Sequence, residues 1–221
     1  MYSSTVRLFL RLKVEQKNKQ FGHLFISLPL RIETKYFQIL LGASMQIGQT
    51  IPNIQLSSIH NSSFNTDELK GRRYLVTFFR FATCPFCNMR IAQLINKQPK
   101  MGENFEIVAI FESNIDHLKK HASKHTSKFP ILADPERQYY KQFGVKKSFL
   151  GMLKGMIFRL PTALSGILKG YIPMEISSRF LIMPLSLLID EKGIIQAIYH
   201  GKDEGDHMPI EQVIEFSHQT L

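Results

Sequence analysis

A nearly unbroken apolar run, Arg73 to Phe79 (Arg-Tyr-Leu-Val-Thr-Phe-Phe), is followed four residues later by Cys84-Pro85-Phe86-Cys87, and a helical pattern starts directly behind it. That succession restricts the fold more than any other stretch of the chain. A β-rich run apolar at consecutive positions is what a central strand covered on both faces requires. From Pro85 onward Phe86, Met89, Ile91, Leu94 and Ile95 recur at roughly helical spacing to about Gln98, and proline is well tolerated in a first helical turn. A strand feeding straight into a helix is the repeating unit of a layered α/β domain.

The rest of the chain continues the alternation. Phe105 to Phe111 reads as a second strand, and Asn114 caps a helix reaching about Lys128 with Asp116 in its first turn. Pro130 to Leu132 is a short strand, and Glu136 to Phe143 a short helix stopped by Gly144. Leu185 to Ile189 and Ile194 to Tyr199 form a hairpin through Asp190-Glu191-Lys192-Gly193. A last helix covers about Pro209 to Ser217.

The chain has only two cysteines, Cys84 and Cys87. A cross-link between residues this close closes almost no loop, so the pair is not a stabilising framework and points to redox or metal chemistry. Cys84 falls at a helix N-terminus, where unpaired N–H groups and the positive end of the helix dipole stabilise a thiolate. Between Tyr74 and Thr83 there is no acid and one base, Arg80, which favours the thiolate further. Cys87 lies one turn on and faces the same way, within reach of a short disulfide. One thiol attacks and the other resolves. Such a pair carries two electrons by itself, so no bound cofactor or metal is implied.

Residues 45 to 221 resemble the thioredoxin-like superfamily, specifically its alkyl hydroperoxide reductase/thiol-specific antioxidant (peroxiredoxin-like) branch. The resemblance rests on Ile47-Gly-Gln-Thr-Ile-Pro52, Phe78 to Cys87, Ile131-Leu-Ala-Asp-Pro135 with Tyr140 to Val145, and Met183-Pro-Leu-Ser-Leu-Leu-Ile-Asp190. It implies a central mixed sheet flanked by helices, a cis Pro184 facing the dithiol, and a substrate-binding role for Met183 and Pro184 in which the Met183 backbone meets an extended substrate chain. It also implies antioxidant or redox-homeostasis work on disulfides or hydroperoxides, with electrons from a thiol donor such as thioredoxin or glutathione. The pattern departs from the peroxidases at informative places. Their Pro-x-x-x-Thr-x-x-Cys would need Pro at 77 and Thr at 81, where this chain has Thr77 and Phe81, and their late-strand arginine is replaced by Pro184. A retained CxxC and proline therefore favour a thiol-disulfide oxidoreductase over a hydroperoxide-reducing peroxidase in which Arg80 supplies the local cation.

The net charge of +10 is localised. Residues 1 to 44 carry seven bases and two acids, residues 145 to 182 carry six bases and one acid, and the remaining body has fifteen of each. A neutral body argues against nucleic acid, whose binders carry the basic stripe on the folded core. No run of about 18 apolar residues occurs, and the bases at 7 to 35 interrupt every apolar burst before it reaches signal length. Residues 1 to 44 therefore read as an N-terminal extension with little structure, with Met45 as a natural start and the cytoplasm as the expected compartment. Residues 145 to 182 read as a basic amphipathic helical insertion, one helix or two joined at Pro161, packing its apolar sector on the sheet beside the dithiol. The same pattern also fits a lid or docking surface for a hydrophobic partner, or an element lying on an anionic membrane surface.

Zinc is a rival from another chemistry, because His117, His121 and His125 share a helix face and the cysteines have ligand spacing. Two expectations oppose it: interleaved lysines mark that face as solvated, and a thioredoxin-like layout is expected to put the two helices on opposite faces of the sheet. His200, Asp203, Asp206 and His207 read as a solvent-exposed structural loop, with lining of the substrate approach as the alternative. A non-redox binding module is the remaining alternative.

Overall fold

The computed structural model of the chain describes residues 45–60, 63–122, 128–172 and 178–219. The reading of residues 1 to 44 as an extension, the choice of Met45, and His125 lie outside them. Seven strands are present: β1 Gln55–Ser58, β2 Phe64–Asn65, β3 Arg73–Phe79, β4 Phe105–Phe111, β5 Ile131–Ala133, β6 Leu185–Ile189 and β7 Ile195–His200. The helices are α1 Pro85–Lys97, α2 Ile115–Ala122, α3 Gln138–Gln142, α4 Phe149–Phe158, α5 Leu160–Leu168 and α6 Ile210–His218. The strands form one mixed sheet in the order β2-β1-β5-β4-β3-β6-β7, so the α/β, thioredoxin-like sheet expected from the sequence is the one found.

β3 is central and all seven of its residues are buried, as its unbroken apolar run requires. Leu75 and Phe79 enter one core with Ile107, Phe111, Ile91 and Leu94, whereas Val76 and Phe78 enter a second core with Ile110, Leu187, Tyr140 and Phe143. The polar end of the strand is neutralised locally. Arg73 pairs with Glu191 at 2.7 Å and lies 4.9 Å over the Phe216 ring. The outer edge of β7 is covered by the first described residues: Gly48 N–H donates to Ile195 O, and Ile195 N–H to Gln49 O.

β3, β4 and β5 are mutually parallel and step in one direction across the sheet. Right-handed crossovers that step the same way place their helices on the same face. Leu118 and Ala122 of α2 accordingly share the core of Cys87, Ile91 and Leu94 of α1. This corrects the expectation of opposite faces; the handedness of the two crossovers dictates it.

The insertion forms α4 and α5, with the joint at Arg159 and Pro161 in the first turn of α5. Its orientation reverses the sequence reading. The buried residues are Gly151, Gly155 and Gly166, while Leu150, Ile157, Phe158 and Leu168 are 77%, 62%, 75% and 88% exposed. Close backbone approach explains the glycines. A Cβ at Gly151 would lie 2.7 Å from Lys202 O, one at Gly166 would lie 2.8 Å from Pro85 Cβ, and one at Gly155 would collide with the Glu204 carboxylate. Large residues cannot fit on that side, so they face outward.

This arrangement predicts opposite costs for one substitution type. Leu94→Ala empties a fully buried site and is expected to lower the unfolding free energy by about 2–5 kcal/mol. Leu168→Ala is expected to change it by no more than about 0.5 kcal/mol. Urea denaturation of the two variants checks both values, and a large loss in the second would mean that the outer face of α5 is covered.

Candidate active site

The turn between β3 and α1 is fixed by side chains that hold backbone groups. Asn88, on the second turn of α1, donates from Nδ2 to both Ala82 O and Cys84 O, each at 2.8 Å. Ala82 N–H donates to Ser113 Oγ at 3.0 Å, and Cys84 N–H to Phe81 O at 3.0 Å. Tyr140 reaches from the other face of the sheet, its hydroxyl donating to Phe79 O at 2.5 Å with Ile110 O at 3.0 Å. These bonds set Cys84 as the N-cap of α1, with extended backbone and its sulfur accepting the Cys87 N–H at 3.3 Å. Pro85 occupies the first helical position, where its missing N–H costs nothing.

Both sulfurs are fully buried. Burial alone would push the Cys84 thiol up. The hydrogen bond from the Cys87 thiol, the Arg80 charge and the N–H groups of Cys87 and Phe86 outweigh it and bring the thiol down to about 7. Cys87 moves the other way: burial, its hydrogen bond to Cys84 and the neighbouring thiolate all push it well above the usual thiol range. The pair is thus divided into a ready thiolate and a protonated thiol that stabilises it.

Arg80 is the cation of the site. Its side chain is 3% exposed, lies 5.2 Å and 5.4 Å from the Phe81 and Phe180 ring centroids, and leaves Nε and Nη1 without a hydrogen-bond partner among the described residues. A buried guanidinium with two donors unpaired among the described residues has the chemistry to hold an anion or an oxygen beside Cys84. Its other charged neighbour is Glu204, 1% exposed, whose carboxyl burial raises while Arg80 pulls it down.

The loop read as solvent-exposed is instead built into this region. Asp203 is buried and accepts Arg159 of the insertion at 2.5 Å; Asp206 accepts the Tyr199 hydroxyl at 2.7 Å. His207 lies 5.5 Å from the Phe79 ring, with neither ring nitrogen hydrogen-bonded among the described residues. Burial, with Arg90, Arg159 and Arg80 nearby, pushes its imidazole well below 6.5 and keeps it neutral at pH 7. Asn88, Glu204 and Arg159 were missed because their roles depend on chain segments that only the fold brings together. Asn88 alone left a local signal, an amide four residues behind an N-cap cysteine.

The substrate-binding pair behaves differently from the resemblance's implication. β6 runs antiparallel to β3 with Phe78 opposite Leu185, which puts Met183 and Pro184 at the dithiol end of the sheet. The Met183–Pro184 peptide is trans, since no cis bond occurs among the described residues. Trans is the cheaper isomer, and ties on both sides hold it: Met183 N–H donates to Lys146 O at 2.9 Å, and Pro184 O accepts Gly201 N–H at 2.8 Å. The donor expected to meet a substrate strand is therefore already taken by the first residues of the insertion. Both Met183 and Pro184 are buried.

Two recesses flank α1. One, of about 110 Å³, is lined by Ala82, Thr83, Asn88, His121, Tyr171 and Ile172 among others. His121, ring-to-ring with His117 at 4.4 Å, thus lies on the dithiol side of the molecule. The other, of about 500 Å³, runs between Met89, Thr162 and the Gly205 to Ile210 segment.

Known proteins agree with this geometry. The sequence model described as the AhpC/TSA family matches residues 47–198. Peroxiredoxin Bcp of Escherichia coli (strain K12) is 26% identical over 119 residues, covering 52% of this chain and 76% of that protein. Peroxiredoxin-like 2C of Bos taurus is 27% identical over 160 residues, covering 66% of this chain and 68% of that one. In fold, the crystal structure of peroxidoxin BcpB from Mycobacterium tuberculosis aligns with a TM-score of 0.57 at 15% identity, over 78% of this chain and 96% of that chain. A strand–CxxC–helix unit at the centre of this sheet, within a family match spanning most of the described domain, means that the chain belongs to the AhpC/TSA family, the peroxiredoxin-like branch of the thioredoxin-like oxidoreductases.

Proposed function

We propose that this protein is a two-cysteine thiol peroxidase that reduces small hydroperoxides, with Cys84 as the attacking thiolate and Cys87 as the resolving thiol. The observation that carries the reading is the enclosure of a low-pKa Cys84 beside the unused donors of Arg80. A protein disulfide must bring its sulfur in line with the attacking one and lay its backbone alongside. Here both sulfurs are fully buried and the Met183 N–H is engaged by Lys146. A peroxide lays no backbone beside Met183 and, being water-sized, needs only a small local opening to reach the buried Cys84 sulfur.

The chemistry balances within the residues present and one external reductant. The Cys84 thiolate attacks one peroxide oxygen, the O–O bond breaks, and the other oxygen leaves as water or an alcohol after taking a proton. Cys84 is then a sulfenic acid. Cys87 attacks its sulfur, an S–S bond forms, and the hydroxyl departs with the Cys87 proton as water. A dithiol protein or two small thiols return the two electrons; a thioredoxin or glutathione system is the donor that the family resemblance implies. Arg80, whose charge lowers the Cys84 thiol and whose Nε and Nη1 have no hydrogen-bond partner among the described residues, takes over the cationic role that other peroxidases give to a late-strand arginine.

The second reading, exchange with small disulfides, is favoured by the CxxC spacing itself. Stopped-flow rates of thiol loss from the reduced protein with hydrogen peroxide and with a small disulfide separate the two. The account expects peroxide to react far faster than it does with a free thiol and to outpace the disulfide; the reverse order would replace peroxidase by oxidoreductase.

Three further outcomes follow from the site. The peroxide rate should rise with pH through about 7 and level off above it, because only the thiolate attacks. Cys87→Ala removes the hydrogen bond to the thiolate and should move that midpoint upward, readable as the pH dependence of thiolate absorbance. Arg80→Gln is expected to slow peroxide reduction on the order of 100-fold while leaving urea stability within a few kcal/mol of the parent.

A further inference from the structure

We propose that the outward face of α4 and α5 is a docking surface for an anionic membrane. Of the 12 large apolar side chains exposed among the described residues, 11 lie between Phe149 and Ile172. Soluble monomers rarely expose so much apolar surface in one place. The face has not lost an internal cover, because the helices already have their inward partners: Gly151 sits on Met183 and Lys202, Gly166 on Pro85, and Arg159 holds Asp203. Their rotation is set from inside by the glycine contacts and by the ion pairs of Arg159 with Asp203 and Asp206.

Charge selects the occupant. Residues 145–172 contain five bases and no acid. Arg159 is engaged inward, and Lys146, Lys147, Lys154 and Lys169 are exposed around the apolar face. An apolar strip edged by cations alone fits a surface with acyl chains below and negative headgroups above. Length agrees with lying flat. Helices of 10 and 9 residues are about 15 Å long, half of the roughly 30 Å a span requires, and no described helix is long and apolar enough to cross a membrane. Because α5 rests on Pro85 and Met89, docking brings the dithiol helix to the lipid surface. The proposal goes beyond the peroxidase reading and stands or falls without it.

Co-sedimentation of the full chain with vesicles tests it, using phosphatidylcholine alone and phosphatidylcholine mixed with phosphatidylserine, at low and high salt. Binding is expected to the mixed vesicles at low salt and to weaken with salt. Ile157→Glu combined with Phe158→Glu should abolish it, and Lys154→Gln and Lys169→Gln should each weaken it about fivefold, all with unchanged thermal midpoints. Residues 1 to 44 are basic as well, so only loss in these variants supports the proposal. Failure to bind mixed vesicles at low salt overturns it, as does binding that the variants leave intact. Elution as an oligomer that the glutamate variant converts to monomer, without vesicle binding, would instead assign the face to a second copy of the chain.

Discussion

The amide of Asn88, bridging the carbonyls of Ala82 and Cys84, is the contact on which the rest of the site depends. It closes the turn by which β3 becomes α1, and so decides that Cys84 is an N-cap and not a helical residue. From that position the Cys84 sulfur receives the Cys87 N–H, and Cys87 stands one turn behind it as donor and partner. An Ala or Leu at position 88 would leave the buried Ala82 carbonyl without this donor, a cost on the order of 1–3 kcal/mol, while Cys84 O keeps the backbone N–H of residue 88. The turn thus places Cys84 where the Cys87 thiol and the Arg80 charge lower its thiol most, with the backbone N–H groups of Cys87 and Phe86 adding to them.

Around this turn the chain is closely covered by its own segments. The segment after α3 hydrogen-bonds to Met183, α5 covers Pro85 through Gly166, and Arg159 draws the Asp203 loop over the same side. Each closure uses a residue of the 145–182 insertion or its leading edge. The insertion thus changes what can reach the sulfurs as well as what the outer surface offers. A charged group such as Arg80 is stable in such an enclosure only because aromatic rings and the nearby Glu204 carboxylate offset its desolvation.

The sheet and the dithiol were legible in the sequence because both depend on local pattern. The run from Arg73 to Phe79, the alternation after it and the CxxC at a helix start each require only neighbouring residues, and each appears where expected. Features set by long-range geometry were not legible. The face chosen by α2 follows from crossover handedness, which no residue of α2 encodes. The inward turn of Gly151, Gly155 and Gly166 follows from how closely Lys202, Glu204 and Pro85 approach, whereas helical periodicity alone assigns the large apolar residues to the core. The loop from His200 to His207 looked solvated because Asp203 and Asp206 share a cation, Arg159, more than forty positions away. The trans Met183–Pro184 peptide likewise reflects contacts to Lys146 and Gly201 that a motif does not contain.

The central claim is the division of labour between the two cysteines, and mass spectrometry of the reduced protein after one equivalent of hydrogen peroxide addresses it most directly. The account requires loss of two hydrogens with a Cys84–Cys87 cross-linked peptide in the parent chain, and a sulfenic acid trapped on Cys84 in Cys87→Ser. Oxidation of Cys84 to a sulfinic acid while Cys87 stays a free thiol in the parent chain, or a first adduct on Cys87, would contradict it.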